Sequence, residues 1–234
     1  ELELRAKIWY TCPRRRTAFE SVSRGGCTFM EKHLVICIGR QFGSGGREIG
    51  LGLAKKLGIR FYDKEILKKA AEESGIVEEL FEKADEKPTN SFLYSLSMGT
   101  HGQAMNFTNY NDYLTNDKLF LFQSNTIRDM AEKDSCVIIG RCADYILRGR
   151  KDMLSVFIHA PMELRIQRIS RVRNVEEDAA RSLIKKTDRQ RANYYNFYAD
   201  NDWGAADSYD VAINSGKLGV EKSIEVLAGI CEHL

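Results

Sequence analysis

Four glycines fall within the eight residues from Gly39 to Gly46, inside the segment LVICIGRQFGSGGREIG that runs from Leu34 to Gly50. A β-branched apolar run (Leu34, Val35, Ile36, Ile38) leads into them, and Ile49, Leu53, Ala54 and Leu57 follow on one face of a helical pattern. Strand, glycine loop, helix is the layout that cradles phosphates. Glycines let successive backbone N–H groups converge on an anion, and the helix N-terminus adds positive potential. The full phosphate-loop pattern GxxxxGK[ST] carries a lysine that reaches the terminal phosphates. Here two registers fit: Gly46 takes the lysine position in one and Arg47 in the other, and the leading glycine is missing unless Gly39 serves from slightly further back. Arginine binds phosphate as a rigid fork, whereas lysine follows a moving charge on a flexible stem, so the substitution favours binding over transfer.

A second set of cations lies in the C-terminal half. The apolar run Cys136–Ile139 ends in Gly140-Arg141, so Arg141 emerges at a carboxyl strand end, the edge where open α/β sheets bind ligands. The run Leu154–His159 leads into a helix carrying Arg165, Arg168 and Arg171 along one stripe, Arg173 follows in the turn, and Asp188 and Arg191 lie near the end of the next helix. Arginine stripes are commonly solvated faces. What argues for a site is the edge they share with the glycine loop, because phosphoryl transfer is mainly positioning and charge stabilisation. Other chemistries leave little trace: the four histidines are scattered without metal spacing, the six cysteines form no CxxC pair, and no GxSxG elbow occurs. The aromatic cluster Tyr194, Tyr195, Phe197, Tyr198 and Trp203 reads as packing before base stacking.

Five apolar runs must position these groups: Leu34–Ile38, Arg60–Tyr62, Cys136–Ile139, Leu154–His159 and Tyr209–Asn214. Helical patterns separate them, which predicts an α/β protein with a parallel sheet. Pro161 marks a helix start, Asn174 with Glu177 reads as a capping box, and Val220, Ile224, Leu227 and Ile230 carry a last helix over about 217–232. The stretch from about 86 to 114 is rich in Asn, Ser, Thr, Gly and Tyr without a clear period. It is too long for an ordinary connection and reads as a lid, a substrate loop or a mobile insert.

The 234 residues fit one domain with room for a subdomain insert, and 43% hydrophobic with 29% charged residues is an ordinary globular balance. A net charge of +2 gives no pull toward nucleic acid or membrane, and no apolar run approaches the ~20 residues that span a bilayer. Cys37 and Cys136 sit inside strand patterns and read as small buried hydrophobes, which fits a reduced, cytoplasmic setting. Residues 1–29 show no sustained period and no signal-peptide core, and Met30 stands directly before the first strand. They are expected to be a disordered or non-native extension of a domain spanning 30–234.

From about Leu34 to its end the chain resembles the cytidylate kinase-like proteins, a branch of the P-loop nucleoside monophosphate kinases. The resemblance is carried by RQFGSGGREIG, FYDKEIL, VIIGRCADYIL, FIHAPMELRIQRI, and KKTDRQRANYY followed by YDVAINS. It implies an α/β P-loop three-layer fold with a five-stranded parallel sheet, a monophosphate-binding insert at about 64–115 and a short lid at about 168–178. On the ATP side it implies Arg40, Gly43, Ser44, Gly45, Gly46, Arg47 and Glu48, with Arg171 and Arg173 in the lid. On the acceptor side it implies Asp63 and Lys69 in the monophosphate region, Arg141, Arg165 and Arg191 on the acceptor phosphate, and Asp188 near the pyrimidine and ribose. The transfer-assisting lysine is absent, and Glu48 stands where those enzymes have a threonine near Mg²⁺. The expected reaction moves the ATP γ-phosphoryl to a nucleoside monophosphate, CMP or dCMP first. Arg47 or Arg40 would replace the lysine, Arg47, Arg141, Arg165 and Arg191 would be catalytic, and Mg²⁺ would be held mainly through phosphates and water, with no metal-ligand residues assigned. The alternatives are a nucleotide-binding regulatory protein with little turnover and a kinase of another small phosphate acceptor.

Overall fold

Five strands form one parallel sheet: β1 (Val35–Arg40), β2 (Arg60–Tyr62), β3 (Cys136–Ile139), β4 (Met153–His159) and β5 (Val211–Asn214), in the spatial order β2-β3-β1-β4-β5. The computed structural model describes residues 33–76, 78, 81, 82, 86 and 108–234, and side chains in the last stretch from 117. The extension expected at 1–29 and residues 87–107 of the expected insert lie outside the described residues. The helices are α1 (Gly46–Leu57), α2 (Glu65–Ser74), α3 (Thr108–Lys133), α4 (Ala143–Ile146), α5 (Met162–Arg173), α6 (Glu177–Tyr198) and α7 (Ser215–Cys231).

The strands read as near-continuous apolar runs because both faces of a parallel sheet are covered. Alternate residues feed two cores. Ile36, Ile38, Val137 and Ile139 pack with Ile49 and Leu53 of α1 and Leu227 of α7. Val35, Cys37, Cys136 and Ile138 pack on the other face with Ile127 and Met130 of α3 and Tyr194 and Tyr195 of α6. Three layers result, as the fold class required. Cys37 and Cys136 are buried free thiols, and desolvation pushes the Cys136 thiol up to about 12. Among the described residues no helix is long and apolar enough to cross a membrane.

Three local expectations change. Asn174 does not open α6. It adopts φ 51° and closes α5 as its C-cap, while Glu176, in extended backbone, is the N-cap of α6. An N-cap needs extended backbone, and asparagine tolerates the left-handed turn that ends a helix. Residues 108–114, expected within a loop, are the first turns of α3, a helix whose later residues Ile127, Met130 and Ala131 are buried. Tertiary burial at one end carries a polar start. The last helix begins at Ser215, where the Asn214 side chain accepts from the Gly216 and Lys217 N–H groups, and it is broken at Gly219 (φ 76°).

β1 lies between β3 and β4, with Ile38 beside Ile139 and Val156. Arg40, Arg141 and Ala160 therefore leave the sheet at one carboxyl edge, on both sides of the central strand. That edge is where a doubly wound sheet opens a crevice.

Candidate active site

The loop after β1 turns left-handed at Gly43 and Gly45, with φ 83° at each, and enters α1 at Gly46. Glycine takes these angles without strain. The loop is tied down on three sides. Asp188 accepts the Phe42 N–H at 2.7 Å, Gln41 Oε1 accepts the Ala160 N–H at 3.2 Å, and the Ser215 hydroxyl donates to the Ser44 carbonyl at 2.6 Å. Ser44 is buried and its hydroxyl donates to the Gln41 carbonyl at 2.8 Å.

Gly46 answers a different need. A Cβ there would lie 2.6 Å from Cβ and 3.2 Å from Cγ of Arg40. The stem of Arg40 therefore fills the space in which a lysine stem at 46 would rise. Arg47 points elsewhere: its Nε donates to Asp63 at 2.7 Å, its guanidinium lies 5.7 Å from the Phe61 ring centre, and its side chain is 64% exposed.

Six arginines near this edge share four carboxylates. Arg40 and Arg191 meet Glu86, Arg47 and Arg141 meet Asp63, Arg165 meets Asp188, and Arg168 meets Glu48. Arg141 and Arg165 are only 2% and 5% exposed, a depth at which guanidinium charge is tolerated when paired. Glu86 also accepts the Arg141 backbone N–H at 3.3 Å, and Arg191 Nη1 donates to the Arg40 carbonyl at 3.2 Å. Gly140, Arg141 and Cys142 are all left-handed (φ 68°, 57° and 54°). This turns the Arg141 side chain back to the Ile139 carbonyl at 3.2 Å and to Asp63 at 3.3 Å. A non-glycine residue in this region costs about 1–2 kcal/mol, and such strain gathers at functional sites.

Burial pushes the Asp63 carboxyl up, but the hydrogen bond from Arg47 and the charge of Arg141 outweigh it and hold the group below its ordinary value. Burial likewise opposes ionisation of Glu86 and is outweighed by Arg40, Arg191 and Arg141. Burial, together with Arg40, lowers the Arg191 guanidinium, with Glu86 compensating in part. A carboxyl depressed in the folded state stabilises fully above its unfolded value and loses that contribution as pH falls through its folded value. Equilibrium denaturation from pH 6 downward should therefore show stability falling below about pH 4, and falling less steeply in Glu86→Gln. Parallel curves for the two proteins would contradict this.

The remaining expected residues divide. Asp188 and Arg165 clamp the loop: Asp188 holds the Phe42 N–H and Arg165, whose Nη1 also donates to the Phe42 carbonyl at 3.3 Å. Arg171 and Arg173 are exposed on the last turn of α5. Arg171, Arg168 and Gln167 line a cleft with Gly43, Ser44 and Ser215. Glu48, at the start of α1, receives Arg168 at 2.7 Å, and that guanidinium lies against Gly45. Lys69 is not brought to the arginines: it pairs along α2 with Glu73 at 3.4 Å. The sequence reading missed Glu86, Gln41 and Ser215. Asn214-Ser215 at the end of β5 offered a strand-edge signal, whereas Glu86 offered none. Among the described residues no three His, Cys, Asp or Glu side chains stand together as metal ligands.

The model of the cytidylate kinase-like family matches residues 35–217. The chain is 28% identical over 109 residues to the cytidylate kinase of Methanocaldococcus jannaschii, covering 45% of this chain and 61% of that protein. A similar match to the cytidylate kinase of Thermococcus sibiricus covers 54% of that protein, so the chain spans just over half of these two curated relatives. It is 21% identical over 210 residues to the cytidylate kinase of Methanopyrus kandleri, covering 86% and 94% of the two chains. Among solved structures, an uncharacterized protein from Eubacterium ventriosum superposes with a TM-score of 0.64 at 28% identity, over 86% of this chain and 100% of that one. A shikimate kinase from Bacteroides thetaiotaomicron superposes with a TM-score of 0.50 at 17% identity, over 85% and 98%, a likeness of fold alone. With a family match running from β1 into α7 and the glycine loop and arginines meeting at one sheet edge, the chain belongs to the cytidylate kinase-like family.

Proposed function

We propose that the protein is an ATP-dependent phosphotransferase that moves the γ-phosphoryl of MgATP to a nucleoside monophosphate, with CMP or dCMP the first candidates. The observation that carries the reading is that Arg40, Arg141 and Arg191, from the ends of β1 and β3 and from α6, line one cavity at the sheet edge that bears the glycine loop, with Arg40 packed against Gly46 and Arg191 over Phe42. An oxygen of the acceptor phosphate attacks the γ-phosphorus, the bond to the bridging oxygen of ADP breaks, and ADP leaves. An anionic acceptor needs no base to remove a proton, so the demand on the protein is charge stabilisation and alignment. The cleft beside Arg168 and Arg171 suits the nucleotide donor. Mg²⁺ enters as part of the substrate, held mainly through phosphates and water.

The carboxylate partners of the arginines favour a second reading, a nucleotide-binding regulatory protein with little turnover. One assay separates the readings: purified protein, MgATP and a panel of acceptors, followed by ADP formation. Transfer to CMP or dCMP supports the first. Tight ATP binding with no transfer to any acceptor supports the second. Turnover confined to non-nucleotide acceptors overturns the assigned acceptor.

Asp188 is placed here as a positioning residue for the loop. Asp188→Ala should raise the KM for ATP by about tenfold, or roughly 1.4 kcal/mol, by freeing the Phe42 N–H and Arg165, whereas Asp188→Asn should keep part of the clamp. An unchanged KM for ATP in Asp188→Ala would remove this role.

A further inference from the structure

Glu86 has donors from three elements. Its Oε1 accepts from Arg40 Nη1 and from the Arg141 backbone N–H, and its Oε2 accepts from Arg191 Nε at 2.9 Å. Two guanidinium groups and a backbone amide converging at the carboxyl edge of a sheet form the donor set of an oxyanion site. The carboxylate reaches the floor of the crevice, since a Cβ on Gly140 would come within 2.2 Å of Glu86 Oε1. Glu86 holds a left-handed backbone (φ 49°), a conformation that persists in a non-glycine residue when its surroundings over-determine it. The cavity lined by Glu86, Arg40, Arg141, Arg191 and Asp144 has a volume of about 20 Å³, room for one water and none for a phosphoryl group.

We propose that Glu86 is the resident anion of a phosphoryl site: its carboxylate occupies the donors of Arg40, Arg191 and the Arg141 amide, and the phosphate of an incoming ligand replaces it there. This rests on the phosphotransferase reading and adds a regulatory element to the same site. The three donors stay occupied until a better-matched dianion arrives, so a weak or misplaced anion does not assemble the site. A ligand that competes with an internal occupant binds more weakly by the fraction of time the site is free, so removing the occupant strengthens binding.

The test uses the full chain, with inorganic phosphate as probe. Glu86→Ala and Glu86→Gln should bind phosphate at least about tenfold tighter than wild type in titration calorimetry. Glu86→Ala should melt at a lower temperature in phosphate-free buffer, because two buried guanidinium groups lose their counter-charge, and millimolar phosphate should restore it. Adding Arg191→Ala to either variant should abolish the gain. Glu86→Gln keeps the side chain's size, so it reports even where Glu86→Ala folds poorly. Phosphate affinity unchanged or weaker in both variants would overturn the proposal, as would a gain that survives Arg191→Ala. The acceptor assay is scored separately. A gain in phosphate affinity in a protein that transfers to no acceptor leaves the resident anion in place and removes the phosphotransferase. Transfer to CMP with no gain does the reverse.

Discussion

Arg40→Ala should slow the proposed phosphoryl transfer by roughly a hundred- to a thousandfold, the range for removing one pre-placed charge from a transferring group, whereas Arg47→Ala should slow it less than about tenfold. Both were candidates to replace the lysine, and their surroundings differ. Arg40 leaves the end of β1, crosses over Gly46 with its stem 2.6 Å from where a Cβ would lie, and delivers a largely buried guanidinium to the anion donors of Arg141 and Arg191. Arg47 is 64% exposed and is engaged with Asp63 beside Phe61. A charge is worth more in a water-excluded crevice than at a surface, which sets the order of the two effects. Arg40→Lys should retain part of the rate, since it keeps the charge and loses the fork. Steady-state kinetics with saturating acceptor gives the comparison, and a larger loss in Arg47→Ala than in Arg40→Ala would assign the lysine's task to Arg47.

Arg141→Ala should cost both stability and activity. The side chain is 2% exposed and bridges Asp63 and the Ile139 carbonyl. Breaking a buried pair costs about 3–5 kcal/mol, and Arg47 remains beside Asp63, so about 2–3 kcal/mol is expected here. For a domain of this size that lowers Tm by roughly 4–12 °C. The acceptor kcat/KM should fall at least about tenfold, or 1.4 kcal/mol, measured below the new Tm. Wild-type kinetics in a well-folded Arg141→Ala would take Arg141 out of the acceptor site, and an unchanged Tm would show that Arg47 alone satisfies Asp63.

The sheet was legible because β1, β3 and β4 are buried on both faces and so are written in nearly unbroken apolar runs. Arg141 was legible for a related reason: the residue after Gly140 at a carboxyl strand end has one place to go. The glycine loop announced its backbone shape, yet the path of the Arg40 stem over Gly46 did not show, because it depends on how the end of β1 lies against the start of α1. Glu86 was invisible. It sits in a charged, aperiodic stretch, and its partners Arg40 and Arg191 lie 46 and 105 residues away. Asn174 misled because its side chain suits either end of a helix and only the backbone angle distinguishes them. Lys69 was placed by resemblance at an arginine position, and a shorter-range partner one turn away, Glu73, holds it.

The crowding between Arg40 and Gly46 also constrains how this loop can change over generations. Gly46→Lys alone would force a side chain into the Arg40 stem, and Arg40→Gly alone would leave no cation over Gly46, with Arg141 and Arg191 remaining deeper in the crevice. Each step toward an ordinary lysine loop is harmful by itself, and only the pair restores a cation at the same place. Such sign-dependent coupling between contacting residues separates two workable loops by a valley that single substitutions do not cross. An arginine-bearing loop of this type would then persist in a lineage whether or not it is the faster catalyst.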